Sequence, residues 1–181
     1  MSRRRVVVTG LGCISPVGNT VADSWANSLA GKSGIDLITK FDASNFACRI
    51  AGEVKGFDLE SYISAKDARA MDSFIHFGIA AAAQAVQDAG LPTGEALDDE
   101  LATRIACVIG SGIGGLPLIE NTHIEYAARG PRRITPFFVA ASIINMAAGH
   151  VSMRFGVTGP NLSDVTACTT GLHCIGWGGS M

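Results

Sequence analysis

Long runs of like charge are missing from this chain, and so is any long apolar run. Lys and Arg number 14 against 16 Asp and Glu, for a net charge of −2. Without a basic face or tail, no nucleic acid partner is expected. The run Arg3-Arg4-Arg5 is too short to change that and flanks a strand-like segment. No apolar stretch reaches the ~18–20 residues of a membrane span. The Ala-rich segment from Ile79 to Val86 is far too short. The N-terminus has no secretory apolar region, because Val6-Val7-Val8 ends at Thr9-Gly10. A cytoplasmic protein is expected. A disulfide framework is missing too: the five cysteines, at 13, 48, 107, 168 and 174, are odd in number and scattered. Cys13, Cys48 and Cys107 have apolar neighbours and read as small buried hydrophobes. The spacing of Cys168, His173 and Cys174 is unlike the usual zinc patterns. On a helix, His173 and Cys174 point about 100° apart. No metal site is expected, and no internal repeat is visible.

What is present is small, apolar and rich in turns. Hydrophobic residues make up 48% of the 181, with 22 glycines, which suits one tightly packed α/β domain. Val6 to Thr9 reads as a buried strand and Gly10 to Pro16 as a loop. Thr20 is placed to cap a helix to Leu29, with Gly31 as its stop. Residues 32–58 read as irregular, with short strands around Arg49 to Val54. Ser64 starts a long helix to about Ala89, closed by Gly90. Pro92 to Asp99 reads as a polar linker, and Arg104 to Ile109 as a strand. Leu116 to Ala128 and Pro136 to Gly149 read as helices, and Leu162 to Ala167 as a strand. Strands alternating with helices predict a parallel or mixed sheet covered by helices on both faces.

Chemistry concentrates in Val165-Thr166-Ala167-Cys168-Thr169-Thr170-Gly171. The pattern is strand, sharp turn and helix start, with a thiol at the turn. Backbone N–H groups and the positive dipole end at a helix N-terminus favour thiolate over thiol. The same N–H groups could hold an oxyanion, so Cys168 reads as a nucleophile. Gly110, Gly112 and Gly115 fit the offsets of a dinucleotide-binding turn, but no ribose-binding acid follows at the expected distance. Gly10 and Gly12 fit half of that motif, with Ser15 at the third place. His76, His123 and His150 read as helix residues without a constellation.

These segments resemble the β-ketoacyl-acyl-carrier-protein synthases, and most the KAS II type. The resemblance rests on four motifs in register: Arg4 to Gly12, Ile109 to Gly115, Gly130 to Val139, and Gly159-Pro160-Asn161 running into Thr166 to Gly176. It covers about residues 3–176. It implies a thiolase-like α/β fold, of which residues 1–181 are the N-terminal half, with the C-terminal half absent. By resemblance, Cys168 takes an acyl group as a thioester in fatty acid elongation. A malonyl thioester then loses CO2 and its carbanion attacks, with no metal or organic cofactor. Ile113 and Phe138 would line the acyl pocket. Lys66, Arg69, Arg132 and Arg133 would meet the acidic acyl carrier protein, with Ala70 standing where a basic residue is common. The family is homodimeric.

Departures from the family set further expectations. Its two histidines, from H-G-T-x-T and T-G-H segments, are not in this sequence, so the chain alone is expected to be inactive in full condensation. An acyl-chain or carrier-protein binding module, or a remnant of a broken gene, is the alternative. Gly178-Gly179 is expected to break the last helix. One inserted base at codon 177 would convert the family-like Gly-Trp-Ala-Ala-Arg into the Gly-Trp-Gly-Gly-Ser seen here. Asp164 stands where a buried strand needs an apolar residue, so it is expected to find a basic partner or to strain the strand.

Overall fold

The computed structural model describes residues 5–181; Arg3 and Arg4 of the basic run lie outside the described residues. Two compact units divide the chain.

One unit holds Val8–Asp58 and Ala80–Gly90. Its first helix, α1 (Val21–Leu29), starts as its sequence dictates: Thr20 Oγ1 accepts from Asp23 N at 3.0 Å. Strands β1 (Ile35–Leu37) and β2 (Ile50–Gly52) pair antiparallel, with Asp36 opposite Ala51. Behind the hairpin, Glu53 is buried. It accepts from Thr39 Oγ1 at 2.6 Å and from the Thr39 and Lys40 backbone N–H groups. These donors, led by the Thr39 hydroxyl, hold its carboxyl below the ordinary range. The loop after Thr9 is stitched to helix α3 (Ser73–Asp88). Leu11 N donates to Asp88 Oδ2 at 2.9 Å, and Cys13 N to Gln84 Oε1 at 3.0 Å. Gly12 presses on α3 so closely that a Cβ would come within 2.8 Å of Ala81 C. Its glycine serves packing.

The other unit holds residues up to Val7, Leu59–Ile79 and Leu91–Met181. Its elements are α2 (Ala65–Ala68), the first half of α3, α4 (Asp99–Arg104), β3 (Cys107–Val108), α5 (Leu116–Arg129), α6 (Phe138–Ser142), α7 (Met146–Phe155), β4 (Asn161–Leu162) and α8 (Thr170–Ser180). Strands β3 and β4 run parallel, Cys107 beside Asn161. The core is rich in small residues. Ala102, Ala141, Ala147, Ala148, Val151 and Cys174 are buried, with Ile75 wholly enclosed.

Several expectations change here, each for a physical reason. Val6–Val8 pair with no strand among the described residues and are 62%, 66% and 77% exposed. A strand needs a neighbour, and its own sequence does not supply one. The expected helix from Ser64 to Ala89 breaks before Asp72, whose N–H donates to Ala141 O at 3.3 Å rather than up its own helix. The expected helix from Pro136 to Gly149 breaks at Ile143–Asn145, where Ser142 O accepts from Gly115 N at 2.9 Å. Tertiary partners have replaced helical ones in both places. The strand from Arg104 contracts to Cys107–Val108, because Asp98 caps a helix that ends at Arg104; Leu101 N donates to Asp98 Oδ1 at 2.7 Å. The strand feeding Cys168 contracts to Asn161–Leu162. Helix α8 continues through Gly178 and Gly179 to Ser180, since a cost of about 1 kcal/mol per glycine weakens a helix without ending it. Cys48 is exposed and Cys13 half-buried. Cys107 is buried as expected, and burial pushes its thiol up to about 11.

Candidate active site

Cys168 is exposed in a single 3-10 turn, Ala167–Thr169, that runs directly into α8. The sharp turn expected before it is real. Ala167 has φ +52°, and it is the one non-glycine residue with positive φ among the described residues. That conformation costs an L-residue about 1–2 kcal/mol. Strain of this kind persists only where neighbouring contacts enforce it.

The enforcing contacts come from the first turns of α8. Thr166 N donates to Thr170 Oγ1 at 2.9 Å, and Thr170 Oγ1 donates to Ala167 O at 2.8 Å. Thr169 donates twice to Thr166 O, from its N–H at 3.1 Å and its hydroxyl at 2.7 Å. His173 Nδ1 lies 2.7 Å from Thr166 Oγ1. The threonines after the cysteine therefore cap the turn that precedes it.

The glycine-rich segment after β3 packs on this turn. A Cβ at Gly110 would run into Asp164 O and Thr170 Cγ2, and would sit 3.0 Å from Cys174 Sγ. Cys174 is buried on that side of α8 while Cys168 stays exposed. Ser163 Oγ donates to Ile109 O at 2.7 Å and ties the two segments together. Asp164 is neither on a strand nor enclosed. Its side chain is 30% exposed, Oδ1 accepts from Val165 N at 2.7 Å, and Oδ2 lies 3.8 Å from His173 Nδ1. The expected burial is not found, and the nearby imidazole is that of His173. A groove of about 420 Å³ lies here, lined by Asp164, Thr166, Leu172, His173, Gly176 and Trp177.

Ile113 stands 68% exposed on the glycine-rich turn, and Phe138 is half-buried at the start of α6. Lys66 on α2 and Arg69 at its end line a groove of about 520 Å³ with Asp67, Met71, Phe137 and His150. Burial holds the His150 imidazole below its ordinary range. Arg132 and Arg133 share the exposed 3-10 turn Pro131–Arg133 between α5 and α6, and are not part of that groove.

Asp72 was missed by sequence reasoning. It is buried between α2 and α3, accepts from Leu118 N at 2.9 Å and from Ser73 Oγ at 3.0 Å, and so caps α5 from 46 residues away. Gly115, at the N-cap of α5, has no side chain to do this. A signal existed in hindsight: an Asp inside an apolar helical pattern demands buried donors.

The model of the β-ketoacyl synthase N-terminal domain matches residues 3–178. The chain belongs to that family. It is 58% identical, over 97% of its length, to the 3-oxoacyl-(acyl-carrier-protein) synthase 2 of Vibrio cholerae, and 47% identical over 96% to that of Staphylococcus aureus strain N315. It covers 42% and 41% of those proteins, so the chain spans about two-fifths of the length of the curated relatives it matches. Among solved structures, it resembles a ketosynthase bound to a hexaketide in complex with its type II polyketide acyl-carrier protein. The TM-score is 0.77 at 26% identity, covering 99% of this chain and 47% of that one. A β-ketoacyl synthase from Burkholderia phymatum gives a TM-score of 0.78 at 23% identity, covering 98% of this chain and 43% of that one, a likeness of fold. The fold is thus α/β and thiolase-like, matching the N-terminal part of the ketosynthases.

Proposed function

We propose that this chain is the nucleophile-bearing half of a condensing enzyme that elongates fatty acyl chains. The observation that carries the reading is Cys168, exposed at the head of α8 directly after the left-handed Ala167, inside the matched family segment. The Cys168 thiolate attacks the carbonyl of an acyl-carrier thioester. A new C–S bond forms and the carrier thiol leaves. A malonyl-carrier unit then loses CO2, its carbanion attacks the Cys168 thioester, and the thiolate departs. Histidines of the family's H-G-T-x-T and T-G-H segments, supplied outside this sequence, assist the decarboxylation. The reaction uses no metal or organic cofactor.

Lys66 and Arg69 meet the acidic acyl carrier protein at the groove they line, with Arg132 and Arg133 adding charge on a neighbouring turn. Ile113 and Phe138 face the acyl chain. The working protein is a cytoplasmic homodimer. The relatives named as synthases and the ketosynthase held by a carrier protein support this reading. The test pairs the chain with a second polypeptide bearing the two histidine segments, and measures CO2 release from malonyl-carrier protein. The expected result is release coupled to β-ketoacyl product, abolished by Cys168→Ser. A product rate equal in native and Cys168→Ser samples refutes the assignment.

A further inference from the structure

Thr166, two residues before the nucleophile, has its polar groups engaged by α8 and the turn leading into it: its N–H by Thr170, its carbonyl by Thr169, and its hydroxyl by His173. Of these three partners, the threonine hydroxyls can rotate to donate or accept as required. The imidazole cannot. A neutral ring carries one proton, and whichever group faces a nitrogen decides whether the proton sits there. Asp164 faces Nδ1. Its Oδ1 is pinned by the Val165 N–H, and this aims Oδ2 to 3.8 Å from that nitrogen. A carboxylate beside Nδ1 favours the proton on Nδ1. Thr166 Oγ1, 2.7 Å away, then accepts.

We propose that His173 is a positioning residue for the nucleophile: Asp164 keeps its proton on Nδ1, and that N–H donates to Thr166 Oγ1 and holds the Thr166–Ala167 turn that presents Cys168. The assignment rests on the reading of Cys168 as acyl acceptor. Among the residues lining the groove at His173, Asp164 is the one charged side chain. Among the described residues of β3, the 3-10 turn and α8, the other titratable side chains are thiols. Cys168 lies on the turn itself. Cys107 on β3 and Cys174 on α8 are buried. Arg104 lines a separate groove with Val108, Gly110 and Cys174.

Two readouts on the whole chain test this. Long-range proton–nitrogen correlation of labelled histidine should show His173 as the Nδ1–H tautomer. In Asp164→Asn the Nε2–H form should gain population. A native Nε2–H tautomer overturns the proposal. The second readout is alkylation of Cys168 by iodoacetamide, with exposed Cys48 as the in-chain reference. His173→Asn places an amide N–H near the Nδ1 position and should keep the native ratio. His173→Phe, which removes the donor, should lower the ratio about fivefold, the worth of one hydrogen bond. Thr166→Val removes the acceptor without touching the ring and should lower it similarly. Native ratios in both His173→Phe and Thr166→Val overturn the proposal. If these alkylation effects are seen but the native chain refuses an acyl group, the acceptor reading falls and the role of His173 stands.

Discussion

Two helix starts in the same unit are held in opposite ways. Helix α5 opens at Gly115, which has no capping side chain, and borrows the Asp72 carboxylate from 46 residues away. Helix α8 opens just after Cys168 and is held by its own first turns, with partners three to seven residues apart. The first arrangement couples α5 to the start of α3, so losing it loosens the unit. The second keeps the turn that bears Cys168 in shape through local bonds, which survive small shifts elsewhere. Long-range bonds carry the architecture here, and short-range bonds carry the candidate chemistry.

Gly110→Ala should break the arrangement most severely. Its Cβ would meet Asp164 O, a backbone atom with little room to give, together with Thr170. We expect a loss of about 3 kcal/mol in thermal or denaturant unfolding. Asp72→Ala should follow at about 2 kcal/mol, because it strips the cap of α5 and leaves the Leu118 N–H without its acceptor. If the comparison holds, Asp72→Ala lowers stability while Cys168 alkylation in the remaining folded chain stays near native. Thr170→Val should do the reverse. It should cost about 1 kcal/mol globally, since one hydroxyl with two bonds is lost. Its larger effect should be on the rate at Cys168.

The smallest effect expected is one of pH. Glu53 caps the Thr39–Lys40 backbone across 13 to 14 residues and is held below its ordinary range in the folded state. The unfolded chain therefore binds the proton more readily, so stability rises with pH through that window. The contribution is complete above the unfolded value and is lost as pH falls through the folded one. Denaturant midpoints from about pH 6 down to about pH 3 should fall less steeply in Glu53→Gln than in the native chain. Equal slopes would show that the Thr39 contacts do not select the charged form.

Much of this was legible in the sequence, and what was not has a common cause. The Thr20 cap, the Gly31 stop, the extent of α5 and the turn at Cys168 are local patterns, read within a few residues. The breaks at Asp72 and at Ile143 are not, because each depends on a carbonyl or N–H claimed by a distant segment. The short β3 and β4, and the exposure of Val6–Val8, follow the same logic: an apolar run records an appetite for burial and not the identity of its neighbour. At the candidate site, the turn that carries Cys168 was legible from its flanking residues. Its strained Ala167 and the Asp164–His173 pair required coordinates.

The most direct measurement incubates the chain with an acyl-carrier thioester and locates the acyl group by peptide mass spectrometry. Cys48 and Cys168 are both exposed, while Cys107 and Cys174 are buried, so one chain carries its own control. Acyl transfer to Cys168 is expected, with none above background at Cys48. Equal labelling of the two would mean that the turn, its threonines and the head of α8 add nothing to an ordinary surface thiol, and would contradict the reading of Cys168 as acyl acceptor.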